Sequence, residues 1–393
     1  MKPFQKTVRK QKILIDAVNT TRGGAVQVVL SLIKNASGER RYEWFLAISE
    51  EINEQLDAKC RAGFAKILVF KGGRFLSKVL NALRLESTVK SLEPDLVYTI
   101  FGPAYWKTSK PHLQGFAHPL LIYSYRDWFN PSHKIESLKH LALNPLKKLF
   151  FPKSSYYSVE TQKVKEKLSS ELSISLDNIF VVRNSVSPFF QKEIVSKIQK
   201  TASKSHVLKI LVPSAYYSHK NLEITPYVAA EMVKKNSRAF KFIFIIPEQG
   251  EGWKNISSVA EKLGVGDKLV TLGTLRHADM ADQYRNCDLV FLPTLVEAST
   301  AVYPESFMAR RPLVTSDKAF AKELCGKGAV YVDPRNPVEM AGKLLEVHSN
   351  SKLRNKLVQE GLRSLRENYP SPSMKWKSQL KVIETLLKRA AVN

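Results

Sequence analysis

Two glutamates, Glu297 and Glu305, stand eight positions apart in VEASTAVYPESF (296–307), separated only by small, hydroxylated or apolar residues. A carboxylate accepts two hydrogen bonds side by side, which suits the vicinal diol of a ribose or hexose ring. The small residues Ala298, Ser299, Thr300 and Ala301 would let such a ligand come close to main-chain N–H groups. On residues alone a second reading stands equally: both glutamates cap a helix N-terminus, a contribution of some tenths to about 1 kcal/mol each.

Three other stretches could meet an anion or a sugar. In PSAYYSHKN, Lys220 sits at the entry to a helix, where an ammonium reinforces a terminus that already prefers anions. It is a candidate diphosphate ligand, with a solvated surface lysine as the alternative. In TTRGGAV, Gly23 and Gly24 let the backbone approach a ligand while the next helix turns its first N–H groups toward it. No GxGxxG fingerprint is present, so an ordinary strand-to-helix turn remains the other reading. His118 in QGFAHPLL and His112 in KPHLQ lie where a first-half strand is expected to reach a cleft, and of the eight histidines His118 is the preferred candidate. A neutral imidazole there can hydrogen-bond a sugar hydroxyl or support developing charge. No D-x-D occurs, so charge on a diphosphate would be met by lysine, arginine and helix ends, and no metal ligand is expected.

These residues need elements to hold them. KILIDAV (12–18), YEWFLAIS (42–49), KILVFKGG (66–73), PDLVYTIFG (94–102), HPLLIYSY (118–125), SSYYSVET and NIFVVRN read as strands, with helical runs between them. Near-continuous apolar strands alternating with helices predict a parallel sheet covered on both faces. After a polar, lysine-rich connection the alternation resumes with strands at 207–214, 240–247, 268–274, 288–294, 311–317 and 329–334. The expectation is α/β, two Rossmann-like doubly wound parallel-sheet domains facing a cleft. The first spans 1–188, the connection 189–206, the second 207–368, and a closing helix at 369–393 crosses back to the first domain. Ligands of such sheets sit outside the carboxyl ends of the strands, which is where the candidates lie.

A chain of 393 residues suits two domains at roughly 150 residues each, and 44% hydrophobic with 25% charged residues is a globular balance. Cys60, Cys287 and Cys325 form no CxxC pair, which argues against a disulfide framework or a zinc site and fits a reducing cytoplasm. The start, MKPFQKTVRKQK followed by ILIDAVNTT, lacks a signal h-region, and no run approaches the ~20 apolar residues that span a bilayer. The formal charge of +25 would concentrate anionic partners, whether nucleic acid, anionic lipid or phosphorylated substrate. No compact basic block or aromatic-interleaved segment singles out nucleic acid. HKIESLKHLALNPLKKLFFPK (133–153) sets Lys134, Lys139 and Lys148 among Ile135, Leu138 and Leu149, a composition that suits a helix on an anionic membrane surface. A plain amphipathic helix facing the core is the alternative.

The second half, from about 207 to 345, resembles the donor-binding domain of the retaining, GT-B-fold nucleotide-sugar glycosyltransferases, a glycosyltransferase family 4-like group that includes bacterial mannosyl- and rhamnosyltransferases. The E-x7-E frame carries the likeness, with RRPLVTSD, AVYVDPRNP and the lysine of SHKN at the family's spacing; VVRNSV and GFAH extend it loosely into the first half. The resemblance implies a GT-B fold in which Glu297 lies near the donor sugar, Glu305 binds the ribose diol, Lys220 the diphosphate, and His118 is the active-site histidine. Gly23, Gly24, Gly273, Thr274, Ser299, Thr300 and Ala301 would complete the donor contacts. It further implies metal-independent hexose transfer with retention, no cofactor beyond the nucleotide diphosphate sugar, no nucleic acid partner, and a saccharide or lipid-linked acceptor in polysaccharide or lipopolysaccharide assembly. Two positions depart from the family pattern: Ser214 and Ala215 stand where an arginine is usual, and Ala298-Ser299-Thr300 replaces Gly-Phe-Gly. Competing readings are a sugar-nucleotide epimerase of the same fold, a basic nucleic-acid-binding protein, and an inactive relative serving as a binding subunit.

Overall fold

Strands whose residues are apolar almost throughout leave no face for water and become the inner strands of parallel sheets. The computed structural model, which describes residues 9–21, 24–71, 75–153, 155–196, 207–237 and 239–392, contains two such sheets. The first joins β1 (Lys12–Ala17), β2 (Glu43–Ser49), β3 (Lys66–Phe70), β4 (Leu96–Thr99), β5 (His112–Gly115), β6 (Tyr156–Val159) and β7 (Ile179–Val181) in the order β3-β2-β1-β4-β5-β6-β7. The second joins β8 (Leu208–Val212), β9 (Phe240–Phe244), β10 (Leu269–Thr271), β11 (Leu289–Leu292), β12 (Leu313–Ser316) and β13 (Ala329–Val332) in the order β10-β9-β8-β11-β12-β13. Every pairing is parallel. This is the expected pair of doubly wound α/β domains. In each sheet the strand order reverses once, between β1 and β4 and between β8 and β11, and crevices at carboxyl ends open at such reversals.

One expected strand is absent. HPLLIYSY forms a 3-10 turn at Pro119–Leu121 and a short helix at Tyr125–Trp128, while the strand is the preceding, more polar HLQG of β5. Pro119 has no N–H to give to a ladder. Leu121 and Ile122 are apolar because they pack in a buried cluster with Phe116 and Phe151, not because they pair. The expected connection also differs at its start: Pro188–Ser196 is a helix that inserts Phe190 and Ile194 into the second domain's core, with the Phe190 ring 5.4 Å from that of Tyr284. Residues 197–206 lie outside the described residues.

The closing helix, Pro372–Val392, crosses back to the first domain. Leu380, Ile383 and Leu387 recur every three or four positions and bury their side chains in the core formed around Ile13, Ile15 and Trp44. Burial of each contributes about 1.5–3 kcal/mol. The stripe ties the end of the chain to the domain that begins it.

Candidate functional site

The second domain's reversal point is flanked by the loops after β8 and β11, and these loops carry Lys220 and Glu297. Asn221 fixes the first loop. Its backbone is left-handed, φ 57°, a conformation asparagine tolerates better than most residues. Its Nδ2 donates to the Pro334 carbonyl at 2.7 Å and the Pro293 carbonyl at 3.2 Å, pinning the turn to the ends of β13 and β11. The N–H of Leu295 donates to the His219 carbonyl at 2.8 Å and joins the two loops directly. So held, Lys220 Nζ donates to Glu297 Oε1, which also lies 3.0 Å from Thr294 Oγ1. The lysine side chain is 13% exposed and the glutamate 4%, so this is a buried ion pair beyond the carboxyl ends of β8 and β11.

Glu305 is buried in the helix Val302–Met308. Thr300 serves that helix, its Oγ1 accepting from the Val302 N–H at 3.3 Å. Ser299 Oγ is buried without a hydrogen-bond partner, a hydroxyl left for a polar group to satisfy. Glu305, Ala301 and Pro304 form one wall of a crevice between the domains whose other walls include Gly24, Ser185 and Lys375. Gly24 is the first residue of the helix Gly24–Gly38, and nothing lies within 4 Å of where its Cβ would stand. What the glycine keeps open is the crevice itself. Gly23 lies outside the described residues.

From the first domain, His118 follows β5 and its Nε2 donates to the Gly102 carbonyl at 2.9 Å, beyond the end of β4. Burial pushes its pKa down, so the ring is neutral and Nδ1 keeps its lone pair as an acceptor. Phe116 and Phe151 pack edge-on against it at 6.4 and 6.2 Å. The two lobes meet beside it: Ala298, next to Glu297, belongs to the same buried cluster as Phe116 and Leu121. Tyr123 lies there too, its hydroxyl buried without a partner and its pKa raised by burial and then by the charges of Asp127, Glu323 and Glu297. The apolar run around Tyr123 predicts a strand, so nothing in the sequence singles the residue out for the site.

His112 proves to be an interior residue. It opens β5, and its Nε2 pairs with Thr99 Oγ1 at 2.8 Å, its pKa pushed down to about 4 by burial. Thr99 and Trp106 both donate to the buried carboxylate of Asp16, at 2.9 and 3.0 Å. The cluster satisfies polar groups inside the first sheet. Gly273, at φ 73°, and Thr274 follow β10, the edge strand, at the same carboxyl side of the sheet but two strands from β8.

The sequence model of the family described as "Glycosyl transferases group 1" matches residues 194–363. This stretch, less than half of the chain, is similar to the group 1 glycosyltransferases. No curated protein matches the chain. Among solved structures, a glycosyltransferase from Rickettsia africae ESF-5 is similar over 97% of this chain and 100% of its own, at 18% identity and a TM-score of 0.68. Anabaena Alr3699/HepE in complex with UDP and glucose covers 96% of this chain and 100% of its own at 14% identity, TM-score 0.67. Sucrose-phosphate synthase from Thermosynechococcus elongatus covers 97% and 100% at 11% identity, TM-score 0.74. The fold is GT-B.

The second domain is clasped to the first just beside Lys220. Asn130 Nδ2 donates to the Ser218 carbonyl at 2.9 Å, and His133 Nε2 meets Glu223 Oε1 while its Nδ1 lies 3.1 Å from Glu136 Oε2. Arg335 reaches across to the carbonyls of Arg126 and Phe129 at 2.9 and 3.1 Å. Burial opposes charge on His133, but the hydrogen bond and charge of Glu223, with Glu136, outweigh it and hold the pKa above 6.5. A raised folded-state pKa means the clasp's contribution is complete below about 6.5 and lost as pH rises through the higher folded value. Small-angle scattering is therefore expected to show a more open molecule above that value than below it. His133→Gln should remove the pH dependence, and a wild-type profile flat across that range would refute the assignment.

Proposed function

We propose that the chain is a retaining, metal-independent hexosyltransferase that takes a hexose from a nucleotide diphosphate sugar and passes it to a saccharide or lipid-linked saccharide acceptor in cell-surface glycan assembly. The observation that carries this reading is the buried Lys220–Glu297 pair at the reversal point of the sheet in the stretch similar to group 1 glycosyltransferases, with neighbouring Ala298 packed in the cluster that holds Phe116. A donor diphosphate would take Lys220 from Glu297, exchanging one anionic partner for another. The freed carboxylate would then face the hexose, and Glu305, on the wall of the crevice, would hold the ribose diol. Charge develops on the leaving β-phosphate, and a pre-aligned donor such as the Lys220 ammonium contributes about 3 kcal/mol there. Gly24 leaves room for the diphosphate on the opposite wall. His118 Nδ1 accepts from a hydroxyl of the sugar being moved. With no side chain assigned as nucleophile, attack comes from the face the leaving group departs, which retains the anomeric configuration.

The UDP and glucose in the Anabaena neighbour support a nucleotide-sugar donor. A thermal-shift panel of UDP-, GDP- and ADP-sugars tests this, since a ligand at 100 times its dissociation constant adds about 2.7 kcal/mol of stability. One base should raise the melting temperature clearly above the others. No shift with any of them sinks the reading. Consumption of an acceptor and retained configuration in the product, followed by NMR, separate transfer from epimerisation.

A further inference from the structure

The helix Lys134–Lys148 is built inside out. The residues it turns inward are polar: Ser137 and Asn144 are buried, and Asn144 Nδ2 donates to the Leu120 carbonyl at 2.8 Å. The residues it turns to solvent are apolar: Ile135 is 72% exposed, Leu146 57% and, just past its end, Leu149 73%. An amphipathic helix serving a core does the opposite. A second helix, Phe75–Leu92, buries Leu85 and Val89 as a core helix does, but it also exposes Val79, Leu80 and Leu83 within about 100° of its circumference. The two are bridged: Lys107 N–H donates to Glu86 Oε1 at 3.1 Å, and Tyr105, two residues earlier, sets its ring 5.1 Å from that of Phe150. Ten of the seventeen strongly exposed large apolar side chains among the described residues lie in these two stretches of one domain. Such a concentration marks an interaction surface, not scattered surface residues.

We infer that this face is a membrane-docking surface that enters the interfacial layer of an anionic bilayer, leucines inserted and lysines on the headgroups. Charge selects this occupant. Lys134, Lys139, Lys148 and Lys153 interleave with the exposed leucines, and the whole chain carries a formal charge of +25. Apolar insertion flanked by ammonium groups is the chemistry of interfacial helices on anionic lipid. Among the described residues no helix is long and apolar enough to cross a membrane, so docking would be on one leaflet. The face also adjoins the reaction site: Asn144 bonds the turn that follows His118, and Lys147 and His140 from this helix are close enough to lower the histidine's pKa. This inference rests on the transferase reading only in its purpose, which is delivery of a lipid-linked acceptor to His118 from the bilayer.

The test is co-sedimentation of the full chain with phosphatidylcholine vesicles and with vesicles that also carry phosphatidylglycerol, at low and high salt. Binding is expected to the anionic vesicles only and to weaken as salt rises. The double variant Leu138→Glu, Leu149→Glu, at exposed positions, should lose about ten-fold or more in partitioning, whereas Leu263→Glu on the second domain should not. Nucleotide-sugar binding by calorimetry, run on the same variants, separates the two readings. Lost vesicle binding with intact donor binding supports the docking face. Wild-type protein that stays in the supernatant with anionic vesicles overturns docking while leaving the transferase reading in place, and an unchanged double variant overturns the assignment to this face. Sedimentation velocity covers the remaining occupant: a wild-type dimer that the double variant dissociates, with no vesicle binding, would assign the face to a second copy and overturn the proposal.

Discussion

Lys220→Ala is expected to cut transfer by about 10²–10³-fold in kcat, the loss seen when one pre-aligned donor to a developing oxyanion is removed. The same change should lower stability by about 3–5 kcal/mol, because Glu297, 4% exposed, would be left as a buried charge without its counter-ion. The two effects have different origins and can be pulled apart. Adding Glu297→Gln to Lys220→Ala removes the stranded charge, so the double variant should regain most of the lost melting temperature while remaining inactive. Glu297→Gln alone strands the ammonium instead, though Lys220 is somewhat more exposed and should suffer less. Thermal unfolding beside single-turnover transfer assays decides the matter. If the single and double variants melt together, Lys220 and Glu297 are not coupled and the exchange proposed for donor binding fails. If Lys220→Ala turns over like the wild type, its place at the leaving group is wrong.

The strands that position this pair were legible because parallel sheets buried on both faces leave an unbroken apolar signature. DLVFLPT and VLKILVPS announced β11 and β8, and hence the loops that carry Glu297 and Lys220. The failure at HPLLIYSY has the same physical root. An apolar run reports burial, and burial in a turn packed onto the domain's own core looks no different from burial in a sheet until Pro119 is weighed as a missing donor. Tyr123 lies in that run and carries no separate signal. The helix Lys134–Lys148 shows another limit: periodicity gives two faces but not their direction, and only the burial of Ser137 and Asn144 reveals that the leucines point outward. His112 could not be told from His118 by type or spacing. What separates them is which end of β5 each occupies: His112 opens the strand and bonds inward to Thr99, and His118 lies beyond its end and bonds to Gly102. The interdomain clasp was invisible for a plainer reason, since His133 and Glu223 are 90 positions apart and no local pattern links them.

Asn221 gave no signal beyond its place after the lysine, yet its replacement should have the largest effect on stability of any uncharged substitution near the site. Its amide supplies two hydrogen bonds to carbonyls at the ends of different strands, and its backbone occupies the left-handed region at φ 57° and ψ 36°. Alanine loses both bonds, leaving two buried acceptors at about 1–3 kcal/mol each, and lacks the short polar side chain that eases asparagine's left-handed backbone. A total near 2–6 kcal/mol follows. Glycine loses the bonds but not the backbone freedom, so Asn221→Gly should be more stable than Asn221→Ala by about 1 kcal/mol. Aspartate keeps the shape but presents oxygens to two carbonyls, with no proton to donate when ionised, and should be worst of the three. The expected order is Asn, Gly, Ala, Asp in chemical denaturation, with the donor's KM rising along it, since the turn that aims Lys220 loosens as its anchors go. An alanine variant within about 1 kcal/mol of the wild type would show that the turn holds itself by some other means. The aim of Lys220 would then have to come from Leu295, whose N–H bonds the His219 carbonyl, and from the first domain's Asn130 at Ser218.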